Sequence, residues 1–157
     1  MQRTFAPYVY HTSVDRVGLA IAFGGALCGA LAAGLLAVGG QTDPVAIVMA
    51  GLIGSLLATL AITAVAVPIW LFMHLAGRRR PSHAALVGAL TAFVIFAAAQ
   101  THGFGLGDAP PSDMATLMFR WASAAATSLV LALVAALIAL VMWRIAYRRV
   151  PAPYPEN

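Results

Sequence analysis

The stretch Leu75–Ala84, LAGRRRPSHA, sets three consecutive arginines between two long apolar runs. No charged side chain occurs from Val45 to Leu75 upstream, and none from Ala84 to Gly107 downstream. A guanidinium is costly inside hydrocarbon and comfortable among headgroups. Such a stretch therefore reads as a turn at a membrane surface, with Arg78, Arg79 and Arg80 at the water boundary, Gly77 before them and Pro81 after.

Working outward from that turn, four runs approach the roughly 20 apolar residues that a helix needs to cross a bilayer. They cover about 17–38, 45–75, 83–99 and 115–143. Each is apolar all round, whereas a helix at the surface of a soluble domain alternates apolar and polar faces. The short alternating segments of a membrane barrel are missing. Composition agrees: 62% of residues are hydrophobic and 9% are charged, against roughly a quarter charged in soluble domains. The expected fold is an all-α integral membrane protein, with four transmembrane helices in an up-down bundle forming a single membrane domain over 1–157.

All nine basic residues are arginine. Together with the abundance of alanine, this points to a GC-rich bacterial genome. Arginine is retained on the cytoplasmic side of spans. Arg3 and Arg16 precede the first run, Arg78–Arg80 lie between the second and third, and Arg144, Arg148 and Arg149 follow the fourth. Only Arg120 falls toward the opposite face, which also takes Asp43, Asp108 and Asp113. Both termini are thus expected in the cytoplasm of a bacterial cell, and the protein in its inner membrane. The arginines cluster at span ends and not along one face with interleaved aromatics, which argues against nucleic acid. Their expected partner is a bilayer with anionic lipids.

The first run stays apolar for about 22 residues, longer than a signal-peptide core. It reads as a retained span, although Ala30–Gly34 resembles a small-residue cleavage site. Cys28 is the one cysteine, so no intramolecular disulfide forms, and Leu27 before it is too large for a lipoprotein cleavage site. The second run is longer than a bilayer core, and Pro68 is expected to bend it, leaving Trp70 at the interface. The third run is short. Ser112 or Asp113 is expected to cap the fourth. Residues 1–13, with Phe5, Tyr8 and Tyr10 around Pro7, read as a short interfacial segment. Residues 150–157 read as a mobile tail.

In lipid, helices associate through close packing, so small residues mark contact faces. Gly18, Ala22, Ala26, Ala30 and Gly34 form one row on the first span, and Gly25, Gly29 and Ala33 form another. Gly88 lies in a similar row on the third span, and Ala124, Ser128, Ala132 and Ala136 make one on the fourth. These rows are expected either to pack the bundle internally or to meet a membrane partner or a second copy. Gly51, Ser55, Thr59 and Thr63 form a stripe on the second span. It either lines a polar path or consists of hydroxyls bonded back to their own helix.

Candidate chemistry is sparse. No ionisable group lies near the middle of any span, which argues against proton coupling and voltage sensing. His74 and His83 flank the arginine turn, and two histidines on adjacent helices can ligate haem or a metal. No carboxylate or cysteine nearby completes such a site, so no cofactor is expected. His102, Asp108 and Asp113 in QTHGFGLGDAPPSD can gather a cation or belong to a plain loop. Arg120 is expected to snorkel to the outer headgroups or to pair with Asp113 or Asp108. The expected function is an accessory or scaffold subunit, or a homo-oligomer. A small oligomeric transporter or channel is the alternative, and an enzyme is the least expected.

Overall fold

The computed structural model describes residues 8–102 and 113–151. Strand β1 (Tyr8–His11) leads into α1 (Val14–Val38). Helix α2 (Pro44–Ala61) passes through a π-helical turn (Ile62–Ala66) into α3 (Val67–Leu75). Then follow α4 (Pro81–His102), α5 (Met114–Ala146) and strand β2 (Arg148–Pro151). Four helices are long and apolar enough to cross a membrane: Val14–Val38, Pro44–Leu75, Pro81–Gln100 and Met114–Ala146.

The burial pattern fits that reading. The buried helical residues are small, including Ala20, Gly24, Gly25, Gly29, Ala92, Ala124, Ser128 and Ala132. Large aliphatic side chains such as Leu52, Leu56, Leu60, Leu129, Leu133 and Leu137 are exposed. A water-soluble fold buries the large residues, because that is where its free energy of folding comes from. Exposed large residues and close approach of backbones are what lipid favours as the solvent of a helical protein.

Helix ends follow local chemistry. Asp43 caps α2 by accepting from the Val45 amide at 3.0 Å, with Pro44 at the first helical position, where its missing N–H costs nothing. Asp113 caps α5 by accepting from the Thr116 amide at 3.2 Å. Ser112, the other expected cap, lies outside the described residues. Helices α1 and α3 stop at Gly40 (φ +96°) and Gly77 (φ +71°), left-handed positions that suit glycine. In both, the following amide reaches back five residues, Gln41 to Leu36 at 3.2 Å and Arg78 to Met73 at 2.9 Å. Those bonds are the Schellman stop that satisfies the last carbonyls.

Three expectations change. At Pro68 the expected bend takes the form of a wide turn within a span that continues to Leu75. The preceding turn widens, so that the Val67 amide bonds the Ile62 carbonyl, and the helix resumes. A wide turn relieves the clash between the proline ring and the carbonyl four residues earlier. The third span is not short. Pro81 begins α4 instead of closing the turn, and the helix of 22 residues reaches about 33 Å at 1.5 Å per residue. The chain is also not wholly helical: β1 and β2 pair antiparallel, Tyr8 opposite Pro151 and His11 opposite Arg148. Tyr8–His11 of the expected interfacial segment and the start of the expected mobile tail thus belong to a ribbon.

The described residues fall into two compact units, those up to 79 with those from 141 onward, and those between 80 and 140. In the first, α1 and α2 run antiparallel in close contact. A Cβ added at Gly29 would collide with the Gly51 carbonyl oxygen, and one at Gly25 with Thr59 Oγ1. One at Gly54 would lie 3.0 Å from the Ala32 Cβ. In the second, α4 meets α5 antiparallel. A Cβ at Gly88 would lie 2.7 Å from the Ala139 Cβ, and Gln100 Nε2 donates to the Ala124 carbonyl at 3.4 Å. Ser128, at 0% exposure, sits between Ala124 and Ala132 on the buried row of α5.

Candidate functional site

The densest side-chain chemistry lies in the first unit, where the start of α1, the end of α3, the end of α5 and the ribbon meet. Trp70 and His74 are one turn apart on α3. Trp143 and Tyr147 have the same spacing at the end of α5, and Tyr10 comes from β1. Tyr147, at 7% exposure, is the hub. Its ring stacks on His74 at 6.0 Å and lies 5.5 Å from Trp143, 6.2 Å from Tyr10 and 6.3 Å from Trp70. Tyr10 meets Trp143 edge-on at 5.3 Å. Edge-to-face and offset contacts of this kind suit the ring quadrupoles. Ala20 and Ala146 complete the buried centre.

The Tyr147 hydroxyl and His74 Nδ1 are 2.9 Å apart. The phenol can supply the proton of this bond to a bare Nδ1, or an Nδ1–H can supply it to the phenol oxygen. Burial pushes the Tyr147 phenol above its usual range. Trp70 and the Arg79 charge pull the other way, and burial prevails.

Arginines surround this cluster. Arg16 Nη1 donates to the Ile145 carbonyl at 3.4 Å, and the Arg149 guanidinium lies 5.8 Å from the centre of the Tyr10 ring. Arg79 is half-buried, with its Nε shielded from solvent and bonded to nothing. Arg78, Arg80, Arg144 and Arg148 are exposed.

The other expected residues fall as follows. Gly25 and Gly29 pack against Ser55, Thr59 and Gly51. The glycine row of α1 and the hydroxyl stripe of α2 are thus two halves of one contact. Thr59 donates to the Ser55 carbonyl and Thr63 to the Thr59 carbonyl, each at 2.8 Å. Gly18 and Gly34 have open space where a Cβ would be. His74 is taken up by Tyr147, while His83 belongs to the other unit, and its Nδ1 is buried without a partner. Among the described residues no three His, Cys, Asp or Glu side chains gather as a metal site. Asp108 lies outside the described residues, as does the side chain of His102. Arg120 is exposed on α5.

Tyr147 and Trp143 were not foreseen as site residues, nor Trp70 as more than an interfacial anchor. The available signal was the aromatic pair at four-residue spacing just before an arginine run, present on both the second and fourth spans. What the cluster can do chemically is limited. It offers one hydrogen-bonded tyrosine–histidine pair and several cations. No family model, curated protein or solved structure matches the chain.

Proposed function

We propose that this chain is a non-catalytic membrane subunit that works by lateral association, as an accessory or scaffold component or as a homo-oligomer. The membrane is the bacterial inner membrane, and the four spans form an up-down bundle with both termini and Arg78–Arg80 in the cytoplasm. The arginine asymmetry supports that orientation. The observation that carries the functional reading is the second small-residue row of α1. Gly18, Ala22, Ala26, Ala30 and Gly34 are all exposed, while the neighbouring glycines are buried against α2. In lipid, such a row lets another helix approach to backbone distance.

The transporter alternative drew on the hydroxyl stripe of α2. That stripe supports it less now, because Ser55 and Thr59 face α1 and the threonine protons are given to backbone carbonyls.

The test is extraction in several mild detergents followed by native mass spectrometry. A partner or a multimer is expected, and Gly18→Leu with Gly34→Leu should abolish it. A clean monomer throughout would overturn the proposal.

A further inference from the structure

The geometry points to a binding site for the phosphate of one anionic phospholipid headgroup at the aromatic end of the first unit, with Arg79 as its principal cation and Arg16 and Arg149 beside it. The inference stands apart from the question of a protein partner. It begins with an imbalance of donors and acceptors. Arg79 Nε and Trp143 Nε1 are buried N–H donors without an acceptor. Buried polar groups are rarely left so, and each such group costs free energy.

Charge is unbalanced in the same place. Among the described residues no arginine forms an ion pair, and Asp15 is the only described carboxylate near the start of α1. Asp43 caps the opposite end of the α1–α2 pair. Arg79 is half-buried and near enough to Tyr147 for its charge to be felt there, so it is partly desolvated without a counter-ion. An anion docked on the guanidinium supplies the missing counter-charge, and a phosphate offers acceptor oxygens matched to the guanidinium fork.

The surroundings select a lipid over a free anion. Trp70, Trp143, Tyr10 and Tyr147 lie where two apolar spans end. Aromatic residues favour that depth because their rings sit among headgroups. A phosphate held there keeps its acyl chains along the exposed leucines of the spans.

The experiment uses the full chain, delipidated in detergent and titrated by native mass spectrometry with phosphatidylglycerol or with phosphatidylcholine of the same acyl chains. Phosphatidylglycerol should be retained preferentially. Arg79→Gln should weaken it by roughly fivefold to tenfold. Arg78→Gln and Arg80→Gln remove the same charge from exposed neighbours and should change it by less than about twofold. If Arg79→Gln does not fold, the pair Arg149→Gln and Arg148→Gln makes the same comparison, with loss expected only for the first. Equal losses at every arginine would reduce the site to diffuse surface charge and overturn the inference. Equal retention of the two lipids would do the same, as would displacement of phosphatidylglycerol by inorganic phosphate at matched concentration.

Discussion

Helix α1 carries two rows of small residues, and the structure treats them in opposite ways. Gly25 and Gly29 face α2 so closely that no side chain fits between them, while Gly18 and Gly34 face open space. By composition the rows are nearly interchangeable. What separates them is the partner face. The stripe Gly51, Ser55 and Thr59 on α2 is itself small, so it can receive a glycine row to backbone distance. Small-residue spacing therefore marks where a helix can be approached, and only a complementary face decides where it is.

The comparison can be broken most forcefully at Gly29. Gly29→Leu pushes a side chain into the Gly51 carbonyl, which is backbone and cannot rotate away. A loss of about 3 kcal/mol is expected, read as early unfolding when the protein in mild detergent is titrated with dodecyl sulfate. Gly25→Ala meets Thr59 Oγ1, a side-chain atom held by its bond to the Ser55 carbonyl. It should cost about 1–2 kcal/mol, and Thr59→Ala in the same chain should restore most of that. A double-mutant cycle that comes out additive would mean that the two positions do not touch.

The closed face of α1 continues through Ala20 into the aromatic cluster. Tyr147→Phe keeps the ring and removes the bond to His74, with an expected loss of about 1 kcal/mol. The same variant tests a pH dependence. The Tyr147 phenol is held above its usual value when folded. The folded state then keeps its proton where the unfolded chain has lost it. Stability should be full below about pH 10, the ordinary tyrosine value, and fall as pH rises beyond it. Tyr147→Phe should lose that contribution to the alkaline decline. On the open row the effect on folding is smallest: Gly34→Leu should change stability by less than about 0.5 kcal/mol while removing any larger assembly seen by native mass spectrometry.

Much of this was readable beforehand, and the limits are physical. Four spans follow from hydrocarbon length and the cost of burying charge, so their positions came out within a few residues. Asp113 is legible as a cap because a short side chain before an apolar run can reach free amides. Pro81 misled because proline both ends and begins helices, and only the capping chemistry around it decides which. The widened turn before Pro68 escaped because a bend and a π-turn both resolve the same missing hydrogen bond. The ribbon was invisible for another reason. Each strand has four residues, too few for an alternating pattern, and each strand's partner lies at the far end of the chain. The aromatic cluster inherits that difficulty, since Tyr10, Trp70 and Tyr147 meet only once the ends are joined.

That joining governs the order in which the molecule can be made. The pairing of Tyr8–His11 with Arg148–Pro151 ties two segments that are made about 140 residues apart. The opening segment must wait, unpaired, through the insertion of every helix, and a chain stalled before Arg148 has no strand to offer it. The ribbon is thus a late contact of high sequence separation, and its loop-closure cost falls only after the intervening helices have packed.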